Sequence, residues 1–115
     1  MSIEWATGLF EGEGSITQDK RRPATYMLRV EMTDLDVLER FMTVVGCGSI
    51  HYNDSPSRHK IFNRKPSYIF RLCKRSDIKQ LLERMLPFLG LRRAYAALNA
   101  LDAIDEHQYK QLSTI

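Results

Sequence analysis

The chain has only two cysteines, Cys47 and Cys73, with neither the number nor the spacing of a disulfide framework or a zinc site; both are expected as reduced, partly buried thiols. No apolar run approaches the length of a membrane span, and Glu4, Glu11 and Glu13 interrupt the N-terminal apolar residues where a signal peptide needs an unbroken stretch. The expected setting is therefore intracellular, with no secretion and no membrane partner. Length for a second core is lacking too: at 115 residues the expectation is one domain, 1–115, without internal duplication. One further absence is local. From Ser55 to Ser76 there is no Asp or Glu, whereas Arg58, Lys60, Arg64, Lys65, Arg71, Lys74 and Arg75 all fall there. Such a segment reads as a phosphate-contacting surface or as a solvated loop beside a charge-protected edge strand.

What is present is an ordinary globular balance, 43% hydrophobic and 27% charged residues, with a net charge of +3. That charge is too modest to decide a partner by itself. The periodicities are more telling. Ser2 can cap a helix beginning near Ile3, with Trp5, Leu9 and Phe10 as its apolar bulk, until Gly12 and Gly14 end it. Ser15 to Gln18 reads as a strand, Asp19 to Ala24 as a charged turn, and Thr25 to Thr33 as a second strand. Its Tyr26, Leu28, Val30 and Met32 face one way and Met27, Arg29 and Glu31 the other. Thr33 or Asp34 can cap a second helix carrying Leu38, Phe41, Met42 and Val45, stopped by Gly46-Cys47-Gly48. A third strand at Ser49 to Asn53 and a fourth at Ser67 to Lys74 flank a polar loop from Asp54 to Pro66. In the fourth strand Tyr68, Phe70 and Leu72 oppose Ile69, Arg71 and Cys73. Ser76 or Asp77 can cap a third helix with Ile78, Leu81, Leu82 and Met85 inward, ended or redirected by Pro87. The last helix is expected over about Leu91 to Gln111, its stripe formed by Tyr95, Leu98, Leu101 and Ile104. The order α-β-β-α-β-β-α(α) predicts an α+β domain with one antiparallel four-stranded sheet, helices on one face and the other face open.

The chemistry concentrates where the first helix ends, in Gly8-Leu9-Phe10-Glu11-Gly12-Glu13-Gly14-Ser15-Ile16. Carboxylates repel phosphate, so a basic chain that places two of them at a helix end beside a strand points to a divalent metal between protein and nucleic acid. Gly8 and Gly12 share one helix face, which either lets a second backbone approach closely or makes room for a neighbouring side chain within a monomer.

Residues Ala6 to Ile16, taken with this order of elements, resemble the signature motif of the LAGLIDADG homing endonucleases. Gly8 and Gly14 fall on the motif's glycines, Gly12 on its small residue, Leu9 and Phe10 on its apolar pair, and Glu11 and Glu13 on its acidic positions. Met32-Thr33-Asp34, Val45-Gly46-Cys47-Gly48-Ser49-Ile50 and Leu86-Pro87-Phe88-Leu89-Gly90-Leu91 resemble later segments of single-motif members. The resemblance implies a site-specific double-stranded DNA endonuclease acting as a homodimer on a long pseudo-palindromic site, with no small-molecule substrate. Its motif helices would pair through Thr7, Gly8, Glu11 and Gly12. Glu13, with Gly12 beside it, would hold Mg2+ (or Mn2+ or Ca2+ in its place). Glu11 is expected to be structural. Asp34 falls where the family often has a polar residue that helps position metal or water, though helix capping accounts for it equally. Arg92 falls where many members have a lysine near the cleaved phosphate. The open sheet face would read the major groove through Thr17 or Gln18, Arg29, Glu31, His51, Asn53 and Arg71, while Lys20, Arg21, Arg22, Arg58, Lys60, Arg64 and Lys65 set position on phosphates. The alternatives are a LAGLIDADG-like DNA-binding regulator or RNA maturase that does not cleave, and an α+β interaction protein with a coincidental glycine-rich turn.

Overall fold

A computed structural model describes residues 2–53 and 66–113. Arg58, Lys60, Arg64 and Lys65, four of the expected phosphate contacts, lie outside the described residues. Helix α1 runs Ile3–Glu13, strand β1 Gly14–Gln18, β2 Tyr26–Met32, helix α2 Leu35–Val45, β3 Ser49–Asn53, β4 Ser67–Leu72 and helix α3 Arg75–Met85. A short 3-10 turn, Leu86–Phe88, leads into helix α4, Leu91–Ser113. The strands form one antiparallel sheet, as the alternation predicts, and the structure gives their order as β1-β2-β4-β3.

The local chemistry of each element follows the sequence closely. Ser2 Oγ accepts from Trp5 N at 3.2 Å and caps α1, whose buried residues Ala6, Thr7 and Phe10 recur at helical spacing. Gly46, at φ 78°, stops α2 in the left-handed region that a side chain disfavours, and its N–H returns to Met42 O. Leu28 and Val30 of β2 and Phe70 and Leu72 of β4 meet Phe10, Leu38, Phe41, Ile78, Leu81 and Leu82 in a single core between sheet and helices. The Phe41 and Phe70 rings meet edge to face at 4.9 Å between centroids.

Four expectations are corrected. Helix α3 begins at Arg75 after Lys74 rather than after Ser76 or Asp77, and Lys74 makes no side-chain capping bond. Arg75 is committed elsewhere, its Nε donating to Ala24 O at 2.9 Å and its Nη2 to Thr25 Oγ1 at 3.0 Å. That ties the start of α3 to the β1–β2 turn and removes Arg75 from the basic face. The inward face of α4 is Ala97, Ala100, Leu101 and Ile104, whereas Tyr95 and Leu98 are exposed, because alanines let the helix lie close to the body where tyrosine would hold it off. Cys73 is exposed and only Cys47 partly buried; both are free thiols. Burial pushes the Cys47 thiol up, with Asp77 adding and Arg84 opposing.

Candidate functional site

Three chain segments converge at one end of the sheet. Gly14, directly after α1, pairs with Val30, so Glu13 stands at the level where β2 runs on to Met32 and then to α2. The start of α4 is fastened to the same place. Glu11 Oε1 accepts from Gly90 N at 2.6 Å, Glu11 Oε2 pairs with Arg93 Nε at 3.2 Å, and the same Nε donates to Glu11 O at 3.0 Å. The Arg93 guanidinium also lies over the Phe10 ring, 5.7 Å from its centroid. Glu11 is therefore an internal clamp between α1 and α4. A Cβ at Gly90 would sit 3.1 Å from Glu11 Oε1, so the absence of a side chain there lets the carboxylate reach the backbone.

Glu13 has the opposite character. It is exposed and has no hydrogen bond or ion pair among the described residues. Asp34 occupies the N-cap position of α2, and its carbonyl accepts from Leu38 N at 3.2 Å, but its side chain makes no capping bond. Its exposed carboxylate is thus not spent on the helix. Arg92, in the first turn of α4, is exposed beside the clamp. Glu13, Asp34 and Arg92 are thus exposed, at the end of α1, the start of α2 and the start of α4 respectively. Among the described residues no group of three His, Cys, Asp or Glu side chains could enclose a metal. The donor chemistry present, one uncommitted carboxylate beside the open last turn of a helix, fits part of the oxygen coordination that a hard divalent cation takes.

The two glycines of α1 behave as an outward-facing pair. Both are exposed, and a Cβ built at Gly8 or Gly12 would meet nothing within 4 Å. No neighbour among the described residues needs them small, although each costs about 1 kcal/mol of helix stability relative to alanine. Gly14 differs, since a Cβ there would strike the Phe10 ring at 2.4 Å. The placement of Thr7 in the same outward face is corrected: it is fully buried, with Oγ1 donating to Ile3 O at 2.7 Å. Glu11 likewise turns to its own chain's α4.

On the sheet, the register puts Thr17, Met27, Arg29, Glu31, Ser67, Ile69, Arg71, Ser49, His51 and Asn53 on the face away from the helices. Gln18 falls on the helix side at the end of β1, its Nε2 donating to Pro23 O at 2.9 Å, so Thr17 replaces it on the open face. Arg29 and Arg71 stand directly opposite on β2 and β4, a like-charge pair that destabilises a bare sheet and favours an anion above it. His51 Nε2 lies 2.8 Å from Ser49 Oγ. Glu31 is not an isolated reader: it pairs with Arg29 at 2.9 Å and accepts from Asn53 Nδ2 at 3.1 Å and Ser67 Oγ at 2.5 Å. At the β1–β2 turn, Asp19 Oδ1 accepts from Arg21 N at 2.9 Å, which orders the loop that exposes Lys20, Arg21 and Arg22. Sequence reasoning misses Arg93 and Ser67. Arg93 meets Glu11 only through the fold, 82 positions away, and no local pattern announces it.

Solved structures that superpose on the chain include homing endonucleases, some of them in complex with DNA. I-CvuI, solved in complex with its target in the presence of calcium, superposes with a TM-score of 0.66 at 18% identity, over 90% of this chain and 65% of that one. I-TnaI superposes at 0.66 and 18% identity, over 97% of this chain and 78% of that one. The LAGLIDADG homing endonuclease I-SmaMI, bound to cleaved DNA, gives 0.68 at 17% identity, over 95% of this chain and 37% of that one. No protein-family model and no curated protein matches the chain. The chain has the LAGLIDADG homing endonuclease fold, the fold its motif resemblance implies.

Proposed function

We propose that this chain is a site-specific, divalent-metal-dependent endonuclease of double-stranded DNA that acts as a homodimer, its two α1 helices packed through Gly8 and Gly12 across a two-fold axis. The observation that carries the reading is the division of labour between two glutamates two positions apart. Glu11 is held by Gly90 and Arg93, while Glu13 is exposed and has no partner among the described residues. A chain with an excess of positive charge gains nothing from a bare carboxylate aimed past its helix unless a cation joins it to phosphate.

In this reading each subunit contributes one Glu13 to a shared centre, with the Gly12 carbonyl in the same open turn. A bound magnesium ion supplies charge neutralisation at the scissile phosphate and a more acidic water; I-CvuI has been solved with DNA in the presence of calcium and of magnesium. Glu13 holds the ion, Asp34 orients a water at the β2–α2 junction, and Arg92 stabilises charge on the phosphate. Arg92 remains protonated throughout and so positions and neutralises without carrying protons. The open sheet face, with Arg29, Arg71, His51 and Asn53, enters the major groove, and Lys20, Arg21 and Arg22 rest on the backbone.

The test is cleavage of a randomised DNA library in magnesium, with wild type beside Glu13→Gln and the oligomeric state read by light scattering. A dimer giving site-specific double-strand cuts that fall by about 100-fold or more in Glu13→Gln, with binding kept, is the expected result. Sequence-selective binding by wild type without any cut would make the chain a DNA-binding regulator or an RNA maturase. A monomer with no DNA affinity would overturn the reading altogether.

A further inference from the structure

Among the described residues of the open face, Ile69 is the strongly apolar side chain that is almost fully buried, at 3% exposure, on the side of the sheet away from the helices. Polar side chains flank it on both neighbouring strands. Glu31 lies beside Ile69 on β2, His51 beside it on β3, and Ser67, itself 1% exposed, two positions along β4. From β2 the Glu31 carboxylate reaches across β4, taking Ser67 Oγ and Asn53 Nδ2 on one oxygen and Arg29 Nη2 on the other. Three strands are thereby joined through one side chain, over a span of about 10 Å between β2 and β3.

The chemistry of the hub decides what its partners can offer. A carboxylate only accepts hydrogen bonds, so it fixes Asn53 with Nδ2 toward Glu31 and leaves Oδ1 and the second Nδ2 hydrogen available. That remaining donor and acceptor are the pair that the N7 and N6 of adenine require. Arg29 gives Glu31 one hydrogen of its fork and keeps the others for the O6 and N7 of guanine. Base pairs are about 3.4 Å apart along the duplex, so readers two strands apart address different base pairs.

We propose that Glu31 is a specificity-determining positioning residue: it presets Arg29 and Asn53 as one coupled pair of readers, Arg29 for a guanine and Asn53 for an adenine at a separate base pair. Glu31 touches neither base in this arrangement. It removes the rotamer freedom that Arg29 would otherwise lose on binding and forbids the flipped amide of Asn53. The proposal rests on the DNA-reading face of the proposed function.

The experiment is a binding profile over all single-base variants of the selected site, in calcium, for wild type, Arg29→Ala, Asn53→Ala, Glu31→Gln and the double variant Arg29→Ala with Glu31→Gln. Arg29→Ala should flatten discrimination at one base pair and Asn53→Ala at another, each by about 10-fold. Glu31→Gln should flatten both together while affinity for the best site falls by less than about 5-fold, a signature that general loosening of the sheet does not produce. In the Arg29→Ala background, Glu31→Gln should add nothing at the Arg29 base pair. A Glu31→Gln profile parallel to wild type, or weakened equally at every position, overturns the assignment, and so does additivity in the double variant. Wild type binding all sequences alike would instead strike at the DNA-reading face itself, and this assignment would fall with it.

Discussion

Single residues at the α1–α4 junction do two unlike jobs with the same side chain type. The Glu11 carboxylate satisfies the backbone at the start of α4 and the guanidinium of Arg93, whose side chain is only 12% exposed. A half-buried pair of this kind is costly to break from one side, because the remaining charge keeps part of its desolvation penalty without its partner. Arg93→Ala should therefore lower stability by about 1–3 kcal/mol, read as a shift of the urea midpoint. Arg93→Lys should recover only part of it, since the lysine ammonium sits at the end of a flexible stem and is not held where the Arg93 Nε meets both the Glu11 carbonyl and its carboxylate. A midpoint unchanged in Arg93→Ala would mean that the clamp contributes nothing to holding α4 against α1.

Elements differ in how plainly their sequence announces them. Strand β2 is legible because its two faces alternate cleanly, with Leu28 and Val30 buried and Arg29 and Glu31 on the other side. Helix α4 misleads because it carries two stripes: large residues, Leu91, Tyr95, Leu98, Tyr109 and Leu112, that are exposed, and small ones, Ala97 and Ala100, that are buried. Periodicity weighs bulk, whereas packing here rewards closeness. Ile69 falls on the face that the alternation assigns to it, yet it is almost fully buried there, and a period-two pattern does not announce burial on an open face. Of the site, the motif glutamates and glycines are readable, but the separate roles of the glutamates are not, since the partners of Glu11 are supplied from the other end of the chain. For α1 the outward glycines carry a double prediction. Because a Cβ at Gly8 meets open space, Gly8→Ala should stabilise the isolated chain by up to about 1 kcal/mol. The same methyl group should weaken a close helix pair and raise the dimer dissociation constant by about 10-fold or more. Sedimentation velocity over a concentration series, with urea unfolding at the most dilute point, reads both effects. Stabilisation with unaltered association would place the dimer contact elsewhere.

At the scale of the whole molecule, each chain holds half of what the proposed chemistry needs: one uncommitted Glu13, one glycine-lined helix face and one basic sheet. Joining two copies doubles every phosphate contact as well as every base reader, and the doubling is measurable without cleavage. The β1–β2 turn presents Lys20, Arg21 and Arg22 exposed on a loop ordered by Asp19, so replacing all three by alanine should leave the fold and the base profile as they are. Removing one cation from a phosphate makes the dependence of log K on log salt shallower by about 0.9. If the three side chains of each turn rest on phosphates and two chains bind together, the slope should become shallower by about 5, whereas one chain alone would give a change of about 3. Fluorescence anisotropy in calcium across a range of potassium chloride concentrations distinguishes the two. A slope unchanged by the triple substitution would move the turn off the backbone, and the smaller change with the base profile intact would mean that the reading surface works from a single copy.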